Sequence, residues 1–195
     1  MLETIKHRRS VRSYTRQPLP REQLETIVEA AGWAPSGMNS QSWQFMMLTG
    51  DALEYIRIVI RDYFRDLELT QQHPPFFAKC KAWAQDDGYS FFYGAPALLV
   101  ISNRADYRNA MADSAAAAEN AILEATDLGL SSCWITTLSG TCGAPAVRSA
   151  LSKLGLPDDY QVFVSVALGH GAEQPEAAPR TYHTLWVHQA PEQST

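Results

Sequence analysis

The 195-residue chain reads as a single α+β domain, residues 1–195. Three observations carry that reading. Between Arg21 and Trp33, the residues Leu24, Ile27, Val28 and Ala31 recur at helical spacing. Ala97–Ser102 and Tyr160–Leu168 are short apolar runs of strand type. Helices and strands then mix without strict βαβ repetition, which disfavours a doubly wound sheet. Apolar residues make up 46% and charged residues 19%, the balance of a globular chain and not a disordered one.

Taken in order, residues 2–9 can form a short opening helix with Leu2 and Ile5 along one side. Pro18 and Pro20 mark a loop, and Pro20 is placed to open the helix that Gly32 and Pro35 close. The loop Pro35–Ser42 is small and polar, with Gly37 free to take positive φ and Asn39 nearly so. It feeds a strand over Trp43–Leu48. Asp51 is placed to cap a helix carrying Leu53, Ile56, Val59 and Ile60. Residues 66–92 show no clean period and read as an irregular, aromatic-rich segment, a form that suits a substrate cover. Aromatics turned into the core are its plainer fate.

Ala97–Ser102 is a buried strand, and the longest helix follows over about Tyr107–Leu128 until Gly129 stops it. Its Ala115–Ala118 run suits a central buried helix, or close contact with a second copy. Ser132–Thr136 is a strand, Ala144–Leu154 a helix closed by Gly155, and Tyr160–Leu168 a strand ended by Gly169-His170-Gly171. The tail from Ala172 is Pro- and Glu-rich, and Thr181–Val187 then alternates as an extended arm.

The formal net charge is −5, yet Lys6, Arg8, Arg9 and Arg12 crowd into seven residues. A nucleic-acid binder spreads its cations over a face, so this concentration favours a small anion. Arg presents a planar fork of donors that fits phosphate, and Ser10 can complete the anion's hydrogen bonds. Taken alone, the cluster also reads as a solvated basic turn. Gly169-His170-Gly171 lacks the third glycine and following helix of a dinucleotide fingerprint. Cys80, Cys133 and Cys142 lack metal spacing and leave one thiol over in any disulfide scheme. With no apolar leader in Met1–Lys6 and no run long enough to span a bilayer, a cytoplasmic setting without membrane contact is expected.

Read together, several stretches resemble the nitroreductase-like FMN flavoproteins. Arg8-Arg9-Ser10-Val11-Arg12 after a short helix is similar to that family's first signature, and Ala34-Pro35-Ser36-Gly37-Met38-Asn39-Ser40-Gln41-Ser42-Trp43 to its second. Gly94-Ala95-Pro96, Asp113 in an Ala-rich helix, Gly129-Leu130-Ser131-Ser132-Cys133-Trp134-Ile135, and Gly169-His170-Gly171 with Pro179-Arg180 follow in register. The resemblance implies a central, mostly antiparallel sheet flanked by helices, in an intertwined homodimer with two FMN sites at the interface. By motif match, Arg8 and Ser10 would hold the FMN phosphate, joined by Arg180 from the arm of about residues 172–195. Arg9 would line the same groove. Arg12 would approach the N1–C2=O edge of the ring. Pro35, Ser36 and Asn39 would reach the flavin held mainly by the partner, and Thr136, Thr137 and Leu138 would pass backbone amides near N5. Ser42 stands where many members have Pro, and Arg180 is the one basic residue evident in the tail.

The implied activity is an NADH- or NADPH-dependent oxidoreductase acting on nitro compounds, quinones or similar small molecules by a ping-pong hydride mechanism. Hydride transfer at N5 needs no protein nucleophile, so no catalytic dyad or metal is expected. Fold alone does not choose the reaction. A flavin-binding store or sensor without turnover, a relative doing reductive dehalogenation, and a small anion-binding domain remain as alternatives.

Overall fold

The structure, a computed structural model, describes residues 1–188. Residues 189–195 of the expected arm lie outside them. Twelve elements follow in chain order: α1 (Leu2–His7), α2 (Arg21–Gly32), a 3₁₀ turn (Gly37–Asn39), β1 (Gln44–Thr49), α3 (Gly50–Asp66), α4 (Phe76–Trp83), β2 (Ala97–Arg104), α5 (Ala110–Asp127), β3 (Ser131–Ile135), α6 (Thr137–Thr141), α7 (Pro145–Lys153) and β4 (Tyr160–Gly169).

The four strands form one antiparallel sheet in the order β1-β2-β4-β3. Ala97 of β2 faces Leu168 of β4 and Arg104 faces Tyr160, with the register shifting between Ile101 and Ser102. Both faces are covered, which explains why the central strands read as unbroken apolar runs. Leu98 and Val100 pack with Ile56, Ile60 and Phe64 of α3 and Leu151 of α7. Ala97, Leu99 and Ile101 pack on the other face with Ile27 of α2 and Ala117 and Ala121 of α5. Ala117 and Ala118 are fully buried in this chain's own core, so that part of the alanine run lets α5 lie close to the sheet and is not free for a second copy. The α+β class and the antiparallel sheet are as expected from the sequence.

Three local readings are corrected. Asp51 is not the cap of α3: the helix starts at Gly50, Thr49 precedes it in extended conformation, and Asp51 stands in the first turn. There its charge still favours the helix dipole. The segment 66–92 is not wholly irregular, because α4 forms within it and buries Cys80. Phe64 meets Phe77 edge-on at 5.2 Å and Phe91 at 5.0 Å, so most of these aromatics serve the core. Finally, α6 follows directly on β3 where no helix was expected.

Among the described residues of the tail no strand forms, and Tyr182, Leu185, Trp186 and Val187 are 85%, 86%, 79% and 71% exposed. This apolar surface has no partner among the described residues. No helix among the described residues is long and apolar enough to cross a membrane.

Candidate functional site

The basic segment leaves α1 at Arg8, where ψ turns to 131° and the chain becomes extended. It is then stitched to the sheet at two places. The Val11 amide donates to the Ser132 carbonyl at 3.0 Å, and the Thr15 amide to the His170 carbonyl at 2.9 Å. Ala172 returns a bond to the Ser13 carbonyl at 2.9 Å. The segment is thereby wedged between the start of β3 and the chain leaving β4. Two glycines permit the close fit: a Cβ at Gly169 would meet the Pro96 ring at 2.6 Å and the Tyr14 ring at 2.9 Å, and one at Gly171 would meet Ser131 Oγ at 2.6 Å.

Three of the expected residues gather there. Arg8 Nη1 donates to Ser10 Oγ at 3.4 Å, and Arg12 Nη1 donates to the Ser10 carbonyl at 3.3 Å. Arg9 turns back instead, donating to the carbonyls of Lys6 at 2.6 Å and Arg8 at 2.7 Å. It borders a separate small cavity of about 170 Å³ with His7, Val11 and Ser131. Arg180 is exposed and makes no hydrogen bond or ion pair among the described residues.

Arg21, Arg57, Arg61, Arg65, Arg104 and Arg148 each find a carboxylate. Among the described residues Arg8, Arg9 and Arg12 find none, although the chain is acidic overall. Arg16, Arg108 and Arg180 also lack a carboxylate partner among the described residues, but only in this segment do three such arginines lie within five residues. Glu173 accepts from the Arg12 backbone amide at 3.4 Å and makes no ion pair with its guanidinium. Cations held close together without a counter-charge repel one another, and an arriving anion relieves that repulsion. Behind them, burial pushes the Tyr14 phenol and the Cys133 thiol above their ordinary ranges, while Arg12 acts against the rise at both.

The loop after α2 is built differently from its sequence reading. Positive φ falls on Met38 (54°), Asn39 (54°) and Gln41 (46°), and not on Gly37. Gly37 is needed for closeness, since a Cβ there would collide with the Asn109 amide and the Tyr107 hydroxyl. Its own amide lies 3.2 Å from both carboxylate oxygens of Asp113, and its carbonyl accepts from the Tyr107 hydroxyl at 3.1 Å. Ser36 Oγ accepts the Gln41 amide at 3.1 Å, and Ser42 donates to Asn103 Oδ1 at 2.8 Å. The Ser42 hydroxyl thus fastens the position where a proline ring was absent. Pro35 and Asn39 are exposed at the surface of this loop. Asp113, Tyr107 and Asn103 carry the loop, and sequence reasoning gave them no such role. Their signal was a set of polar residues flanking the start of an otherwise alanine-rich helix.

Thr136 follows β3 as the N-cap of α6, which Thr137 begins, and both border a cavity of about 430 Å³. Leu138 turns its side chain into the core and is fully buried. The edge strand from Ser131 to Ile135 that separates the Ser132 anchor from the Thr136 turn spans about 13 Å.

Within one chain these parts do not all converge. Thr4 donates to Asp127 at 3.3 Å, which holds the basic segment near the C-terminal end of α5. Gly37 holds its loop to Asp113 at the N-terminal end. The two anchors stand fourteen residues apart on the same helix, roughly 21 Å at 1.5 Å per residue. The Arg8–Arg12 segment and the Thr136 turn share β3, and the Ser36–Asn39 loop lies elsewhere.

The nitroreductase family profile matches residues 5–170 of the chain. A solved nitroreductase with bound FMN from Bacteroides fragilis is 36% identical, with a TM-score of 0.82 over 96% of this chain and 98% of that one. A second with bound FMN, from Desulfitobacterium hafniense, is 26% identical, with a TM-score of 0.75 over 94% and 97%. The NADPH-flavin oxidoreductase of Vibrio harveyi is 27% identical over 96% of this chain and 72% of its own length.

Proposed function

The chain belongs to the nitroreductase family, and we propose that it is an FMN-dependent oxidoreductase that draws electrons from NADH or NADPH. Its acceptor is a nitro compound, quinone or similar small molecule. The observation that carries this reading is the unpaired gathering of Arg8, Ser10 and Arg12 beside β3, with Thr136 and Thr137 at the strand's other end.

The residues present fit FMN. Arg8 and Ser10 offer charge-assisted donors to its phosphate, and the exposed Arg180 is free to join them from the tail. Arg9 neighbours that group and steadies it by holding the end of α1. Arg12, without a carboxylate partner, can place positive charge beside the flavin ring, where it would support the reduced form. On this reading the backbone amides of Thr136, Thr137 and Leu138 would serve the reactive edge of the ring. Bound FMN would supply the redox chemistry, accepting a hydride from the nicotinamide and handing on two electrons. For a nitro acceptor the first two-electron reduction consumes two protons and yields a nitroso compound and water. One hydrogen arrives with the hydride and the remaining proton comes from solvent.

The working unit is a homodimer on this reading. Pro35, Ser36 and Asn39 sit too far from Arg8 to serve the same flavin in one chain, while a second copy can bring its loop to the site. The exposed Tyr182, Leu185, Trp186 and Val187 give that second copy apolar surface to cover. The three free, buried cysteines are in keeping with a cytoplasmic setting. The test is spectroscopic: the purified protein is yellow, releases FMN on denaturation, and bleaches when NADH or NADPH is added without oxygen. Protein that never takes up FMN contradicts the proposal, and a yellow protein that neither nucleotide bleaches leaves only a store or sensor.

A further inference from the structure

Resting on the reading that places the flavin beside Thr136 and Thr137, we infer that the cavity of about 430 Å³ next to them receives the electron acceptor and selects neutral, flat aromatic molecules over anionic ones. Its wall is drawn from several elements, Phe64 of α3 and Ser139 of α6 among them. Phe76 and Phe77 come from α4, Met111 from the first turn of α5, Gln161 and Phe163 from β4, and Thr136 from the turn after β3. Among the described residues no charged side chain lines it, and Thr136, Thr137, Ser139 and Gln161 supply the polar atoms. Apolar and aromatic walls with a few neutral hydrogen-bonding groups suit a planar, uncharged guest. An anion entering the same space would leave water without gaining a cation, and burying an unpaired charge is costly.

Two further features support the assignment. Phe76 and Met111 are 49% and 55% exposed, so large apolar side chains stand at the mouth where a guest could cover them. The α4 wall is also fastened in place. Arg65 donates to the Ala84 carbonyl at 3.1 Å, Arg57 and Arg61 to the Asp87 carbonyl at 3.2 and 3.1 Å, and Lys81 to the Leu67 carbonyl at 2.7 Å. These four cations are spent on holding the backbone that follows and precedes α4. The larger space of about 800 Å³ between α2 and β1 is a poorer candidate, because Arg21, Glu25 and Glu29 line it and no residue of the Thr136 turn does.

The test uses the FMN-loaded enzyme with 4-nitrobenzamide and 4-nitrobenzoate, two probes of matched shape that differ in charge. The wild type should favour the amide in kcat/KM by about tenfold or more, the effect of about 1.4 kcal/mol of discrimination. Met111→Lys and Gln161→Lys, on different elements and both at exposed positions, should each narrow that ratio several-fold, and Met111→Glu should widen it. Ratios that ignore the sign of the introduced charge, or a wild type that uses both probes equally while binding FMN and bleaching with nucleotide, overturn the acceptor assignment alone. Protein that takes up no FMN overturns it together with the flavin reading.

Discussion

The amide of Gly37 lies 3.2 Å from both carboxylate oxygens of Asp113, a side chain only 5% exposed. This contact fixes the second signature loop to the start of α5. Removing the carboxylate leaves the Gly37 amide without its partner, and a bond to a charged group is typically worth about 1.5–3 kcal/mol. Asp113→Ala should therefore lower the denaturant midpoint by a matching amount with an unchanged m-value. A midpoint equal to wild type would show that the loop is held by something else.

The phosphate assignment predicts a separation between stability and flavin retention. Arg8 is partly exposed and its side chain bonds only to Ser10 among the described residues, so Arg8→Ala should fold normally. Loss of a charge-assisted hydrogen bond of ~1.5–3 kcal/mol should weaken FMN binding roughly ten- to a hundred-fold. Equilibrium dialysis of Arg8→Ala and Arg180→Ala checks this, and unchanged retention in both removes the phosphate assignment.

Arg12 should act on electronics more than on retention. Arg12→Gln keeps donors and deletes the charge, so the reduced, anionic flavin loses support. The two-electron potential should fall and reduction by NAD(P)H should slow, with FMN still bound. A potential indistinguishable from wild type would mean that Arg12 points elsewhere.

The long amphipathic and apolar segments were legible because their periods repeat over many residues: α2, α3, α5 and the two central strands all lie within a few residues of their sequence readings. The misses are short or non-local. Within α4 only Cys80 is buried, with Phe77 half-buried beside it, and the preceding Pro74-Pro75 disguises a helix start that proline tolerates. Five residues of α6 are too few to show a period. Gly37 was read as a turn former because sequence shows no neighbours, yet Tyr107 and Asn109 approach it from seventy residues away. Arg9 was expected to line the same groove as Arg8. Its extended neighbour Val11 is buried on the other side, and Arg9 goes with Val11 to a different cavity.

The cysteines should prove silent in turnover. Burial pushes the Cys80 thiol up to about 11, and Cys133 is raised by the same cause. Folding favours the neutral thiol of Cys80, so that stability is fully present below the free-thiol value near 8.5 and is lost as pH rises toward the folded value. Thiol reagents at pH 8 should accordingly label Cys80 only as fast as the protein opens. Cys80, Cys133 and Cys142 replaced together by Ala can cost stability but should leave turnover per bound FMN within about two-fold, well under the tenfold that 1.4 kcal/mol would bring. Loss of turnover with FMN retained would reopen thiol chemistry.

The central claim is that the site is shared between two copies, because Ser36 and Arg8 are held at opposite ends of α5. Complementation tests it most directly. A Ser36/Asn39 double mutant and an Arg8/Arg180 double mutant, each inactive alone, are co-expressed with different tags and the mixed dimer is isolated. In that dimer one site carries both defects and the other carries none. The account predicts a mixed dimer with one FMN and about half the wild-type activity, by simple site counting in a two-fold oligomer. A mixed dimer that stays inactive, or a monomer that keeps its FMN and turns over, would contradict it.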